Sequence, residues 1–229
     1  MLNWRSIYHQ WRRYRAIGKT GSTVMRTFLE QARPSDNLLA NDCELLALDI
    51  ETTGLSVDND AILSVAYVPV VQRQIQLSSA RHMLVKTAVD VGQSATIHGI
   101  HDQQLQSQGM SLNEVMDTLL KDLAGKVLLV HFSRLDYGML NKVSRELYGV
   151  KLLCPVVDTL AIEYRHYKLT NADNIPPMQL DLCRERYGLP RYRAHNALVD
   201  AIATAELWLA QSAYMQGNQQ LPVRFFVAR

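Results

Sequence analysis

A pair of acidic residues stands at the end of an apolar run of strand length. Asp49 and Glu51 close the segment 45–51, and side chains two positions apart on a strand leave it on the same face. Two neighbouring carboxylates in a low-dielectric place repel each other, at a cost of several kcal/mol, unless protons or cations intervene. The pair therefore predicts a cation site. The alternative is that Asp49 merely caps the following turn.

Two further acids stand where the chain enters a helix. Asp136 follows the apolar run 127–130, at the carboxyl end of a strand, where open α/β sheets place their ligand sites. Asp200 lies early in the helical pattern 196–215. As alternatives, Asp136 could be an ordinary helix N-terminal acid, favoured by the helix dipole by about 0.5–1 kcal/mol, and Asp200 a solvated helix acid.

A histidine precedes the last of these acids. His195 and Asp200 are five residues apart, which on a continuous helix would separate their side chains by about 140°. If both are to reach one site, His195 must lie in the cap or loop before the helix. The spacing therefore predicts a mobile histidine at the rim and a fixed aspartate inside, against the alternative that His195 is only a helix-capping residue.

The composition is that of a globular protein. The chain has 229 residues, of which 48% are hydrophobic and 20% charged, enough for one large domain with a sizeable core. No apolar run is long enough to span a bilayer, and we expect no signal peptide. The cysteines are scattered and odd in number, which predicts a reducing, cytoplasmic compartment and argues against disulfides and a zinc site. They are Cys43, Cys154 and Cys183.

The basic residues are concentrated at the N-terminus. Residues 1–35 carry seven cations against Glu30, a charge of +6, so the remainder must carry −4 to give the net +2. Apolar residues at helical spacing in 2–19 predict an amphipathic basic helix, and 22–31 a second one before a linker. We predict a helical extension and linker over 1–40. Its aromatic residues could pack on the body. Alternatively, its basic face binds nucleic acid or a partner protein, or it is a peripheral membrane helix or a presequence.

The remaining chain alternates strands and helices after an antiparallel meander. This order predicts an α/β fold with a mixed five-stranded sheet. The strands are predicted at 45–50, 61–71, 74–85, 126–130 and 155–158. The helices are predicted at 97–108, 111–124, 135–148, 159–167, 178–187 and 196–215, with a polar loop at 171–177.

These segments together resemble the DEDDh superfamily of 3′→5′ exonucleases, most closely its branch of epsilon proofreading subunits of bacterial DNA polymerase III. The resemblance covers about residues 44–214. It rests on 48–55 (LDIETTGL), 194–201 (AHNALVDA), 96–100 (TIHGI) and 158–160 (DTL). One motif departs from the pattern: the family usually has HNAxFD where this chain has HFSRLD at 131–136. The carboxylate of Asp136 is kept, and the departure bears on substrate preference near that loop.

The resemblance implies a fold and a metal site. The fold would be a ribonuclease H-like three-layer α/β/α domain over 41–216, with the N-terminal extension before it and a C-terminal tail at 217–229. Two Mg²⁺ (or Mn²⁺) ions would be held by four carboxylates, with Asp49 bridging both ions, Glu51 and Asp200 completing one, and Asp136 supporting the other through water. His195 would be the general base. Hard oxygen ligands favour Mg²⁺ over Zn²⁺.

The resemblance also implies where the 3′-terminal nucleotide binds. The residues expected to contact it are Ile50, Thr52, Thr53, Leu55 and His98. Leu55 could instead be a core residue, and His98 a helix N-cap.

The expected activity is metal-dependent removal of nucleoside 5′-monophosphates from 3′ ends of single-stranded or frayed DNA, because only an unpaired terminus can enter such a pocket. The alternatives are an exoribonuclease of the same superfamily and a catalytically silent nucleic-acid-binding module. A phosphatase of another α/β class is disfavoured because no lysine lies near the motifs. About 15 residues follow the last predicted helix, so we expect a nuclease that acts alone rather than one docked on a polymerase.

Overall fold

The computed structural model describes residues 4–170, 175–193 and 195–227. The first residues of the predicted N-terminal helix, part of the predicted loop at 171–177, Ala194 and the last two residues lie outside these ranges. The strands are β1 (Leu45–Thr52), β2 (Ile62–Val71), β3 (Gln74–Ile75), β4 (Arg81–Leu84), β5 (Val127–Val130) and β6 (Val156–Asp158). The helices are α1 (Trp4–Ile17), α2 (Thr23–Glu30), α3 (Ala95–His98), α4 (Asp102–Gln108), α5 (Leu112–Leu123), α6 (Asp136–Tyr148), α7 (Thr159–Thr170), α8 (Leu180–Arg186) and α9 (Ala197–Gln216).

The strands form one mixed sheet in the order β3-β2-β1-β5-β6, with β4 also paired to β2. β1 pairs antiparallel with β2 and parallel with β5, and β5 pairs parallel with β6. The mixed sheet is therefore confirmed. Its central strand β1 continues past the end of its pairing with β5, which stops at Ala47 and Leu129. The last residues of β1 thus have one side free of that ladder.

Two predicted elements are each broken in two. The predicted strand 74–85 is wrong as one piece, because a 3-10 turn at Leu77–Ser79 uses its backbone groups locally and separates β3 from β4. The predicted helix 97–108 is also wrong. Gly99 adopts a left-handed conformation with φ of 69°, which ends α3, and α4 begins only at Asp102.

Helices cover both faces of the sheet, because the side chains of β1 alternate between two cores. Leu46 and Leu48 pack in one cluster with α2, α5 and α6, and Leu45 and Ala47 pack in the other with α7 and α9. This is the three-layer α/β/α arrangement that the family resemblance implied. The predicted capping box is also present, with the side chains and amides of Ser111 and Glu114 bonded reciprocally at the start of α5.

The N-terminal helices are joined to the domain mainly through α2 and through one arginine. Phe28 and Leu29 of α2 are buried in the first cluster. The Arg13 guanidinium of α1 donates to the carbonyls of Phe28, Leu29 and Gln31 at 2.8–2.9 Å and to that of Leu153 at 2.7 Å. These bonds fix α1 to the rest of the protein.

Three aromatic residues of α1 are largely exposed and are not packed into the core of the domain. The side chains of Tyr8, Trp11 and Tyr14 are 54%, 50% and 77% exposed. The alternative that these aromatic residues pack α1 onto the body is therefore wrong for these three. Ala16 and Ile17 make that contact instead. Periodicity shows that a helix has two faces, but it does not show which one packs: the contact of α1 uses Ala16, Ile17 and the hydrogen bonds of Arg13.

The C-terminal segment, predicted as a tail, is packed against the second face of the sheet. Phe226 is buried and meets Trp208 of α9 edge to face, with ring centroids 4.8 Å apart. The Ala40 amide donates to the Leu221 carbonyl at 2.9 Å, which ties this segment to the linker before β1. Within the described ranges, no helix combines the length and apolarity needed to cross a membrane.

Candidate active site

Three carboxylates from two elements meet at the end of β1. Asp49 and Glu51 continue the alternation that sends Leu45 and Ala47 to the face covered by α9. Asp200 lies in the first turn of α9, on that same face. One ligand oxygen from each of the three acids lies within 4.8 Å of those of the other two. The shared strand face that the sequence predicted thus brings three acids together.

The electrostatics of this cluster favour a bound cation. Burial, followed by the nearby Asp136, Asp200 and Glu51, holds the pKa of Asp49 well above its ordinary value. Burial and the charge of Asp200 raise the pKa of Glu51 to about 7. Both pKa shifts come first from burial and then from repulsion between the acids, and a bound divalent cation would favour the charged carboxylates against both effects. The donors are hard carboxylate oxygens, which suit Mg²⁺ or Mn²⁺ and do not form a thiolate or imidazole set of the kind that selects zinc.

Asp136 lies deeper than the other three acids. It is the first residue of α6 and is only 3% exposed. Its carboxylate accepts a hydrogen bond from the backbone amide of Ile50, on the side of β1 that β5 leaves free. Burial and the charge of Asp158 nevertheless raise its pKa well above the ordinary value. Asp136 is therefore an N-terminal acid of α6, as its alternative had it, but one that is buried beside Asp49.

Metal-free protein should lose stability as the pH rises from about 4.5 to about 7. The folded state raises the pKa of Glu51 from 4.5 to about 7, so it binds this proton more tightly than the unfolded chain does. That stabilisation is complete below the unfolded-state pKa and is lost as the pH rises through the folded-state pKa. Thermal unfolding in EDTA across this range measures the effect, and Glu51→Gln should flatten the slope. A wild-type midpoint that climbs over the same range would contradict this account.

His195 lies immediately before α9, as the spacing predicted. Asn196 is the N-cap, and its side chain accepts the Val199 amide at 3.2 Å, so the capping alternative for His195 is wrong. His195 is exposed and has a left-handed backbone with φ of 68°. Its amide donates to Asp200 Oδ2 at 2.9 Å. The histidine is thus tied by its backbone to one of the clustered acids, and it lines a cavity of about 300 Å³ together with Asp49 and Asp200.

A buried arginine holds the loop that carries His195, and no sequence pattern indicated it. Arg184 of α8 is 2% exposed and donates to the carbonyls of Ala203 at 2.7 Å and Pro190 at 2.9 Å. It also pairs with Glu206 at 2.7 Å. Its guanidinium lies 4.6 Å from the centre of the Tyr192 ring, and the Tyr192 hydroxyl donates to the same Glu206. We call Arg184, Tyr192 and Glu206 the arginine clamp.

The loop of the altered motif is held by another acid whose role the sequence did not reveal. The carboxylate of Asp158 accepts the amides of Phe132 at 3.1 Å and Ser133 at 2.8 Å. His131 is bonded at both nitrogens, to the Thr159 hydroxyl and the Met178 carbonyl. This loop therefore keeps its shape through Asp158 and His131, although it lacks the Asn-Ala pair usual in the related motif.

The residues near β1 that were predicted to contact the nucleotide differ in whether their side chains are accessible to a ligand. The Ile50 side chain is buried in the core, so this residue can offer the site only its backbone. The Thr52 hydroxyl donates to the Gly54 carbonyl and that of Thr53 to Asp60. Leu55 is 80% exposed, so the alternative that it belongs to the core is wrong. It is the member of this group best placed to meet a ligand.

Gly54 allows the backbone after β1 to lie close to the Asp60 side chain. A Cβ at this position would lie 2.6 Å from Asp60 Oδ2, the carboxylate oxygen that accepts the Ser56 amide. Any side chain there would push Asp60 away from the loop that follows β1.

His98 is the last residue of α3 and not a helix N-cap. Its Nδ1 accepts the Ile100 amide at 3.2 Å, and burial followed by the charge of His195 lowers its pKa. The neutral ring therefore carries its proton on Nε2. That nitrogen is buried and has no hydrogen-bond partner among the described residues. His98 thus presents a donor beside His195.

A family model described as Exonuclease (RNase_T) matches residues 46–208. The DNA polymerase III PolC-type protein of Thermotoga maritima is 31% identical over 176 residues, which cover 76% of this chain and 12% of that protein. The DNA polymerase III subunit epsilon of Aquifex aeolicus is 23% identical over 185 residues, or 81% of this chain and 87% of that protein. The chain thus spans only about an eighth of the PolC-type protein.

Solved structures share the fold. E. coli exonuclease I in complex with a dT13 oligonucleotide has a TM-score of 0.61 and 17% identity, over 73% of this chain and 40% of that one. The cell-death related nuclease 4 (CRN-4) has a TM-score of 0.62 and 15% identity, over 76% of this chain and 64% of that one. The predicted ribonuclease H-like fold is confirmed.

Proposed function

The chain belongs to the exonuclease family that this model describes, and on that premise we propose that it removes nucleoside 5′-monophosphates from 3′ ends of single-stranded or frayed DNA. The observation that carries the proposal is the meeting of the Asp49, Glu51 and Asp200 oxygens within 4.8 Å, beside His195. DNA is favoured over RNA because relatives are DNA polymerase III proteins and a structural neighbour is described as bound to dT13.

The four acids fit divalent cations. Asp49, Glu51 and Asp200 would hold two Mg²⁺ or Mn²⁺ ions, and the buried Asp136 would contribute to their binding through water. When bound, such ions stabilise the charge that develops on the attacking and leaving oxygens of a phosphoryl transfer. The acids themselves fix the reaction centre at the carboxyl end of β1, and the negative charge of these clustered carboxylates would repel a phosphate unless cations neutralise it.

The residues around the cluster have separate tasks. His195 accepts a proton from the attacking water, since it lines the same cavity as Asp49 and Asp200 and its amide is fixed to Asp200. His98 offers its Nε2–H, which has no partner among the described residues, as a hydrogen-bond donor to a terminal nucleotide whose entry uncovers this buried atom. The exposed Leu55 side chain contacts the terminal base. Because this contact needs an unpaired base, single-stranded or frayed ends are the preferred substrates.

Matched DNA and RNA oligonucleotides of one sequence, labelled at the 5′ end, test the proposal. With Mg²⁺ we expect a ladder of shortening products that keep the label, DNA consumed faster than RNA, and no reaction in EDTA. Release of the 5′ label first would contradict the polarity. Faster loss of RNA would assign an exoribonuclease, and no cleavage with Mg²⁺ or Mn²⁺ would leave a silent binding module.

Breaking the arginine clamp should slow the reaction without removing a reacting group. In Arg184→Met the guanidinium that bonds the Pro190 carbonyl of the loop before His195 and the Ala203 carbonyl of α9 is lost. We expect kcat to fall by about 10–100-fold because the base is misplaced, with KM little changed. Arg184→Lys should restore part of the rate. Arg191→Ala is the matched control, since its ion pair with Glu185 is exposed and worth little. Equal rates for Arg184→Met and wild type would exclude this positioning role.

A further inference from the structure

A cavity of about 340 Å³ between α1 and the end of α6 is lined by cations and by no acid. Its charged residues are Arg12, Arg15, Lys19, Arg145 and Lys151. None of these five forms a salt bridge with another residue in the described part of the chain. Uncompensated cations around one cavity repel each other, so the cavity favours an anionic ligand.

Aromatic rings stand at the edge of this cavity. Trp11 lines it, is half-exposed and stacks with Tyr8 at a centroid distance of 6.2 Å. The guanidinium of Arg15 lies 4.7 Å from the centre of the Trp11 ring. Exposed aromatic rings between cations are the surface on which unpaired bases stack while their phosphates are neutralised. A free phosphate or a duplex would use the cations but not the rings.

A second cavity, of about 310 Å³, adjoins the first one and reaches the loop between β5 and α6. It shares Arg12 and Leu153 with the first cavity and is also lined by Ser133 and Tyr137, which flank Asp136 along the chain. The two cavities together follow α6 from its first turn to its C-cap Gly149. A helix of 13 residues is about 20 Å long, so a chain leaving the site could run along it.

The charge distribution gives a reason for such a groove. The candidate site consists of carboxylates, and the chain beyond residue 35 carries −4, whereas residues 1–35 carry +6. A polyanion would therefore draw its sequence-independent affinity from the N-terminal segment.

We propose that these two cavities form one basic groove that binds single-stranded nucleic acid on the 5′ side of the nucleotide being removed. The inference rests on the proposed function, because that function brings a 3′ end to the carboxylate cluster. It adds a second contact region, on α1 and the end of α6, that lies outside the reaction centre. The exposed aromatic face of α1 then has a defined occupant, the bases of the upstream strand.

Charge reversal in the groove tests this proposal. The double variant Arg15→Glu with Lys151→Glu changes two exposed cations of the groove. Lys121→Glu with Arg224→Glu is the control, since it alters net charge equally at exposed positions outside both cavities. With an oligonucleotide of about 12 nucleotides, we expect the groove variant to raise KM at least about tenfold with kcat nearly unchanged. Loss of two phosphate contacts should also reduce the salt slope of binding by about 1.4.

Two further readouts separate the groove from the reaction centre. Hydrolysis of the p-nitrophenyl ester of thymidine 5′-monophosphate should be equal in all variants, because this substrate does not reach the groove. Trp11→Ala should weaken oligonucleotide binding by about 5–100-fold. Tyr14→Ala, an exposed aromatic of α1 outside both cavities, should not.

The outcomes remain distinct if the enzyme is inactive. Fluorescence anisotropy in EDTA measures oligonucleotide binding without turnover. Equal binding and equal KM for the groove variant and wild type would overturn the groove even if the ester is hydrolysed. Failure of the ester reaction in wild type would instead count against the proposed function. Cosedimentation with phosphatidylserine vesicles that is lost in the groove variant, while oligonucleotide binding stays unchanged, would assign the surface to a membrane and overturn the proposal.

Discussion

Replacing Asp49 with asparagine is expected to abolish metal-dependent hydrolysis and, at the same time, to stabilise the metal-free protein. Asp49 shares the cluster with Glu51 and Asp200, and burial beside these charges raises its pKa. The amide keeps the shape of the side chain but removes both the charge that a cation would bind and the repulsion felt without one. We expect the rate to fall by at least about 10³-fold.

The sign of the stability change makes this prediction specific. A ligand that binds only the folded state stabilises it by about 2.7 kcal/mol at a hundred times its Kd. In wild type, Mg²⁺ or Mn²⁺ should therefore raise the unfolding midpoint, and in Asp49→Asn this rise should vanish while the midpoint in EDTA increases. Asp117→Asn is the control, since Asp117 accepts the Tyr148 hydroxyl at 2.7 Å away from the cluster. It should keep both activity and the metal response. A lower midpoint for Asp49→Asn in EDTA would show that the carboxylates do not strain the fold.

His195→Ala should lower kcat by about 10²–10⁴-fold and leave folding and single-strand binding unchanged. The imidazole is exposed, and only the backbone amide of residue 195 is bonded to Asp200, so the substitution removes no packing. Calorimetry should find the same metal-induced stabilisation as in wild type. This separates a residue that moves a proton from one that binds the ion.

The control for His195 lies in the same loop. Arg193 is exposed two residues earlier, and Arg193→Ala should keep kcat within a few-fold even if KM rises because a cation is lost. Added imidazole should restore part of the rate of His195→Ala and none of Asp49→Asn. Turnover of His195→Ala at the wild-type rate would remove the histidine from the mechanism.

Much of the candidate site could be predicted because its geometry is local. The alternation of a strand puts Asp49 and Glu51 on one face, and helical spacing alone requires His195 to precede α9 if it is to join Asp200. The structure has both features. The role of Asp136 was harder to predict, because the motif around it differs from that of the family. Its buried position is accommodated because β1 extends beyond its pairing with β5 and the Ile50 amide is free to donate to the Asp136 carboxylate.

The residues that were missed act between distant segments. Arg184 holds the His195 loop through Glu206, 22 residues away along the chain, and no local pattern marks a buried arginine as different from a surface one. Asp158 is likewise bonded to amides 25 and 26 residues earlier. The predictions of one strand at 74–85 and one helix at 97–108 were wrong for a related reason. The hydrophobic pattern is continuous over both segments, whereas local turns at Leu77–Ser79 and Gly99 interrupt the regular backbone.

The sequence by itself therefore determined which carboxylates belong to the candidate site and the order of strands and helices. It also determined that the positive charge lies in residues 1–35 and the negative charge in the remainder. Each of these features depends on residue type and short spacing. Only the tertiary structure decided that three acids meet within 4.8 Å, that a buried arginine fixes the loop of His195, and that the aromatic side of α1 is exposed. These depend on which faces pack against each other. Packing is set by the competition among all apolar faces of the chain for one interior, and that competition has no local signature.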